Sequence, residues 1–175
     1  MSLIFFLAGA PAVGKSTTAH ALAAHFQKSI HIPVDDIRSM VVSGVEHPGV
    51  AWSQGLIEQL AVARECVTQM ALSYRSAGFT VVIDDFWDPN SMLREYQRLF
   101  QSPDVHRILL YPSRQAAEGR NQKRDGSAYI ADGIRTVYGN LQAEIPTLER
   151  EGWRIVDTTD MDIETTVRDI LARVE

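Results

Sequence analysis

Lys15 and Ser16 put an ammonium and a hydroxyl side by side, one suited to phosphate oxygens and the other to a divalent cation. They close the octapeptide Gly9-Ala10-Pro11-Ala12-Val13-Gly14-Lys15-Ser16, a complete G-x-x-x-x-G-K-S. In such a loop the backbone N–H groups of Gly9, Ala10, Pro11 to Gly14 and their neighbours converge on an anion; proline alone contributes none. A helix starting at Lys15 would aim its dipole at the same point, with Thr17 also in its first turn. A chance octapeptide in a glycine turn would lack the flanks seen here. The apolar run Leu3-Ile4-Phe5-Phe6-Leu7-Ala8 leads into the loop, and the helical pattern Ala19, Leu22, Ala23, Phe26 leaves it. The motif predicts nucleotide binding.

Two carboxylate pairs also end apolar runs. Phe79-Thr80-Val81-Val82-Ile83 precedes Asp84-Asp85, the pattern of a strand-end acid that holds Mg²⁺ directly or through water. The spacing leaves open which of the two aspartates serves the metal; Ser16 and Asp84 are the expected pair. Ile30-His31-Ile32-Pro33-Val34 precedes Asp35-Asp36, with Arg38 one helical turn beyond Asp35. Asp35 fits either a general base for an attacking hydroxyl or a helix N-cap, and Arg38 either an acceptor clamp or a surface cation. Arg120 and Arg124, spaced i and i+4, fit mobile arginines that close over a γ-phosphate, or a solvated helix face paired with Glu118. Thr158 and Thr159 fit a helix cap, and Thr158 also a border of the nucleotide base.

These residues need a frame that brings them together. Apolar runs alternate with helical patterns along the chain, the signature of a parallel sheet wrapped by helices in an α/β fold. Helices are expected after the phosphate loop, near 52–77 (ending at Gly78), 90–100, 113–124, from 134 to about 144, and 162–174. A polar segment, Asp125 to Gly133, separates two of them. Strands four and five are expected at 105–111 and 153–156. Ligands of open parallel sheets bind beyond the strands' C-terminal ends, where each polar segment falls. Cys66, inside an apolar helical pattern, reads as a small core residue.

Composition narrows the partners. The net charge of −5 argues against broad nucleic-acid binding through phosphate neutralisation. Yet residues 104–135 hold six Lys/Arg against four acids, a locally basic region suited to a confined anionic ligand. LIFFLAGAPA superficially resembles a secretory signal, but it lacks a basic start, and cleavage would destroy the loop. No run approaches the ~18 apolar residues of a membrane span. One cysteine allows no internal disulfide, and five histidines with it suggest no structural zinc. The expected setting is cytoplasmic, with no membrane partner, and residues 1–175 read as a single domain.

The assembled pattern resembles the small P-loop kinases of the nucleoside-monophosphate-kinase-like fold. Asp35, Gly78-Phe79-Thr80-Val81-Val82-Ile83-Asp84-Asp85, Ala117-Glu118-Gly119-Arg120 and Val156-Asp157-Thr158-Thr159 are similar to the motifs of chloramphenicol phosphotransferases. Val34-Asp35-Asp36-Ile37-Arg38 and Arg120-Asn121-Gln122-Lys123-Arg124 are similar to those of phage polynucleotide kinase domains. The resemblance implies a three-layer α/β/α fold, a five-stranded parallel sheet of order 2-3-1-4-5, and a helical lid near 120–135. It also implies ATP and Mg²⁺ as cofactors. Asp35 would be the base, Arg38 would lie at the acceptor, Arg120 and Arg124 would be lid arginines, and Lys15 and Ser16 would contact phosphate and magnesium.

The polynucleotide kinases' Asp-x-Asn element is replaced here by Asp85-Phe86-Trp87-Asp88. Phe86 and Trp87 suit an apolar or aromatic acceptor, or core packing at a strand end. The expected reaction is therefore transfer of the ATP γ-phosphate to a hydroxyl of a small molecule, with Asp85, Phe86 and Trp87 on the acceptor side. A polynucleotide 5′-hydroxyl is the alternative acceptor, disfavoured by charge. A nucleotide-dependent regulator or hydrolase is the alternative from another class.

Overall fold

The computed structural model describes residues 2–47, 52–91, 93–124, 126, 128–172 and 174. Strands β1 (Ile4–Ala8), β2 (Ser29–Pro33), β3 (Thr80–Asp84), β4 (Val105–Leu110) and β5 (Trp153–Val156) form one parallel sheet in the order β2-β3-β1-β4-β5. Seven α-helices are seen among the described residues: α1 (Lys15–Ala24), α2 (Val34–Ser39), α3 (Gln54–Ser76), α4 (Gln97–Phe100), α5 (Arg114–Arg124), α6 (Ala128–Arg150) and α7 (Ile163–Ala172). Central β1 and its neighbour β3 are buried at every residue, as parallel strands covered on both faces must be.

Strand alternation sorts the core into two sides. Phe5 packs on Phe26, just beyond α1, and on His106. Its neighbour Phe6 turns the opposite way, into a cluster with Tyr96, Phe100 and Trp153. Helix α1 also packs on α7, while α3 packs on β3 and on the turn that carries Tyr96. Helix α6 runs along β5.

Several expectations are corrected. The helix expected at 90–100 shrinks to a 3₁₀ turn at Arg94–Tyr96 and the single turn of α4. Asp88 is the physical reason. Its Oδ1 accepts from the N–H groups of Asn90 and Ser91, which competes locally with helix formation. The helix expected after Gly133 starts six residues earlier and runs on to Arg150, absorbing much of the polar segment; Asp125 and Ser127 lie outside the described residues. Helix α3 begins at Gln54 because the Ser53 hydroxyl caps it, accepting from Leu56 N at 3.0 Å. Cys66 is exposed rather than in the core. The buried stripe of α3 passes through Leu60, Arg64, Val67, Thr68 and Ala71, so Cys66 lies off it and a charged residue lies on it.

Candidate active site

The phosphate loop fits tightly between strands. A Cβ at Gly9 would sit 2.7 Å from the Leu110 carbonyl oxygen, so no larger residue enters without moving β4. Gly14 caps α1 at φ +95°, a left-handed conformation that glycine adopts without strain. Gly9, Ala10 and Val13 are buried and form the frame of the loop, whereas Pro11, Ala12, Gly14, Lys15, Ser16 and Thr17 line a cavity of about 1240 Å³. Lys15 Nζ folds back to donate to the Ala10 carbonyl at 2.9 Å. Burial pushes this ammonium below its ordinary pKa, against the opposing pull of the Asp84, Asp35 and Asp85 carboxylates.

Asp84 and Asp85 separate onto opposite faces of the sheet. Asp84 is in register with Leu7, two residues from Phe5, and therefore turns toward α1. There its Oδ2 accepts from Ser16 Oγ at 2.8 Å, and its Oδ1 accepts from His31 Nε2 at 2.5 Å. A strand-end carboxylate beside the last hydroxyl of the loop is a donor set suited to a hard divalent cation shared with phosphate oxygens.

Asp85 turns toward α3. Its Oδ2 accepts from Arg64 Nε at 2.8 Å and from the Tyr96 hydroxyl at 3.1 Å, and its Oδ1 accepts from Phe86 N at 2.8 Å. Arg64 Nη1 also reaches Asp88, Ser91 and Glu95. Arg64 is fully buried. Burial works against its charge, but the Asp85 and Glu95 carboxylates hold its pKa above the ordinary value. Burial pushes the Asp85 carboxyl up to about 6 despite Arg64. Asp85 borders the cavity on its acceptor side, as expected, with a side chain buried and bound within the protein.

Trp87 borders the cavity in the same way. Its side chain is fully buried and packs edge-on to Trp153 at 5.6 Å, as a core residue. Phe86 lines the cavity with the least buried side chain of the three. Its ring lies 5.3 Å from the Arg64 guanidinium and 5.9 Å from the Trp52 ring, and Trp52, Ile57 and Pro89 extend this apolar wall.

Asp35 occupies the first turn of α2 with a carboxylate that is 77% exposed, and it opens into the same cavity. Arg38 Nη1 lies 3.5 Å from it, while Arg38 Nη2 donates to the Glu46 carbonyl at 2.8 Å. Glu46 is tied to α3, its N–H donating to Gln59 Oε1 and its Oε2 accepting from Ser53 Oγ. Residues 48–51 of this connection lie outside the described residues.

The two arginines of α5 expected at the lid diverge. Arg120 does not line the cavity: it donates to the Val13 carbonyl at 3.1 Å and the Thr158 carbonyl at 2.6 Å. It ties α5 to the phosphate loop and to the segment after β5, where Thr158 is buried. Arg124, one turn further on, is exposed and lines the cavity with Asn121. Glu118 pairs with Arg114 rather than with either of them. Helix α6 lines the same side of the cavity. A Cβ at Gly133 would come within 3.2 Å of Pro11 Cγ, so this helix lies directly on the loop.

Sequence reasoning missed His31 and Arg64. The signal for His31 was its strand parity with Asp84, which is readable only once β2 is known to neighbour β3. Arg64 carried a signal in its spacing, four residues after Leu60 and four before Thr68.

Comparison with known proteins agrees with this fold. A family model described as an AAA domain matches residues 4–143. No curated protein matches the sequence. Among solved structures, the Deinococcus radiodurans tunicamycin resistance protein is 16% identical, with a TM-score of 0.66 over 99% of this chain and 96% of that one. Shikimate kinase from Bacteroides thetaiotaomicron is 16% identical, with a TM-score of 0.69 over 98% of each chain. A gluconokinase from Sinorhizobium meliloti is 16% identical, with a TM-score of 0.66 over 99% of this chain and 91% of that one. The fold of this chain is that of the small P-loop kinases.

Proposed function

This chain belongs to the AAA-domain family, and from that premise we propose that it is an ATP- and Mg²⁺-dependent phosphotransferase acting on a hydroxyl of a small molecule. The observation that carries the reading is one cavity shared by the phosphate loop and the unburied carboxylate of Asp35. Fold neighbours named as sugar kinase, shikimate kinase and gluconokinase support the kinase class.

ATP supplies the transferable phosphoryl group, and Mg²⁺ offsets charge on its phosphates. Ser16 and Asp84 would hold the cation; the loop N–H groups and Lys15 would hold the phosphates. Asp35 takes the proton of the acceptor hydroxyl as that oxygen bonds to the γ-phosphorus and the bond to the ADP oxygen breaks. Arg38 holds Asp35 in place from the next turn. Arg124 offsets negative charge on the transferring group and Arg120 fixes the base of the lid, so only one of the two works at the phosphate.

The acceptor class follows from the walls. Arg38 is engaged by Asp35 and the Glu46 carbonyl, while Phe86, Trp52, Ile57 and Pro89 offer apolar surface. This favours an acceptor with an aromatic or apolar face, as in the chloramphenicol phosphotransferases that the sequence resembles, over an anionic polymer.

The test is transfer from radiolabelled ATP–Mg²⁺ to phenylpropanoid antibiotics, aminoglycosides, sugar acids, nucleosides and 5′-hydroxyl oligonucleotides. Wild type should label an aromatic small molecule, and Asp35→Asn should lower kcat by about 10²–10⁴ with ATP affinity retained. Label on oligonucleotides alone would make the protein a polynucleotide kinase. Hydrolysis with no labelled acceptor would favour the regulator or hydrolase reading.

A further inference from the structure

We infer that His31 is a positioning residue for the divalent-cation site, acting through Asp84. The inference rests on the reading above that Ser16 and Asp84 hold the metal.

His31 stands on the edge strand β2, in register with Val82 of β3. Parallel neighbours share a face, so His31, Val82 and Asp84 all turn toward α1. The imidazole therefore lies diagonally across from Asp84, and its Nε2–H donates to Oδ1 at 2.5 Å. The ring is nearly enclosed, with a side chain 15% exposed, and its other ring neighbour is His20 of α1, at 6.2 Å. The carboxylate of Asp84 is 7% exposed.

Each oxygen of Asp84 has one side-chain donor, and the two donors differ in what else they must do. Ser16 is the loop hydroxyl that offers its lone pairs to the cation, so its bond to Oδ2 belongs to the metal site itself. His31 has no such second task. Rotation of a carboxylate about its terminal torsion is soft, and a single hydrogen bond to one oxygen is enough to select an orientation. The His31 bond to Oδ1 leaves Oδ2 facing Ser16 and the loop. This is the arrangement by which an outer partner orients a metal-binding carboxylate, and loss of such partners commonly weakens metal affinity 10- to 100-fold.

Mn²⁺ binding to the protein–ADP complex, read by electron paramagnetic resonance, tests this without relying on turnover. His31→Ala should weaken Mn²⁺ binding by about tenfold or more, while ADP affinity in EDTA stays at the wild-type value. His31→Gln, whose side-chain amide can donate to the same oxygen, should restore most of the loss. Unchanged Mn²⁺ affinity in His31→Ala, with Asp84→Asn clearly weakened, would overturn the His31 role and leave the metal site standing. Unchanged affinity in Asp84→Asn would overturn both. Equal loss of ADP affinity in EDTA would also overturn it, because His31 would then be shaping the loop. Failure of Gln to rescue while Ala is weakened would assign the effect to ring packing instead of the hydrogen bond.

Discussion

Asp84 and Asp85 are adjacent in sequence and identical in type, yet they inhabit two different regions of the molecule. On the α1 side, Asp84 meets two hydrogen-bond donors, Ser16 and His31, beside the cavity. On the α3 side, Asp85 meets a fully buried guanidinium that also serves Asp88 and Glu95. In the proposed reading the first carboxylate serves the cation, whereas the second is consumed in joining α3 to the segment after β3. A strand that ends in two acids thus serves the site with one face and the fold with the other.

The largest effect is expected on the α3 side. Arg64→Met would leave Asp85 and Asp88 buried without their cation, at a cost of about 3–5 kcal/mol. Urea or thermal unfolding measures it. If stability changed by only a few tenths of a kcal/mol, the network would be a solvated cluster and the contrast between the two faces would collapse.

Asp84→Asn should do the opposite: nearly native unfolding, but a Mg²⁺ requirement for transfer raised about 10- to 100-fold. Initial rates against Mg²⁺ at saturating nucleotide read this directly. A variant that unfolded early instead would place Asp84 with Asp85, as a structural group.

Helix α5 repeats the contrast on a smaller scale. Arg120→Ala removes hydrogen bonds to two carbonyls that fasten α5, a loss of about 1–3 kcal/mol in stability. Arg124→Ala leaves unfolding unchanged and lowers kcat, with little change in ATP affinity. Reversed outcomes would mean that the two arginines exchange roles when nucleotide binds.

The contrast also marks how far the sequence could be read. The phosphate loop is legible because its chemistry is local: eight consecutive residues, a strand before and a helix after. The strand order follows from the family resemblance, and five of the seven helices follow from alternating periodicities. The fates of Asp85, Trp87 and Cys66 depend on which face a residue takes, and that depends on partners distant in sequence. Trp87 met Trp153, and Asp85 met Arg64. Arg64 itself was hidden because a pattern of apolar residues passes over a charge, even where three carboxylates are waiting for it. The 90–100 segment misled for a local reason, the Asp88 turn, which hydrophobic spacing does not register.

The smallest prediction concerns pH and again separates the two aspartates. Three carboxylates share one guanidinium on the α3 side, and burial raises Asp85 from the ordinary 3.8 to about 6. A raised carboxyl pKa means that the folded state binds this proton more tightly than the unfolded chain does. Its contribution to stability is therefore fully present below the unfolded value and is lost as pH rises through the folded one. Wild type should gain about 1 kcal/mol relative to Asp85→Asn on going from about pH 7 to about pH 5.5. Urea unfolding of both proteins at the two pH values measures the difference, in which other titrating groups largely cancel. A difference that instead shrinks on acidification would mean that Arg64 overcomes burial and holds Asp85 ionised. The α3-side network would then be a fully charged cluster, with Asp85 as one of its anions.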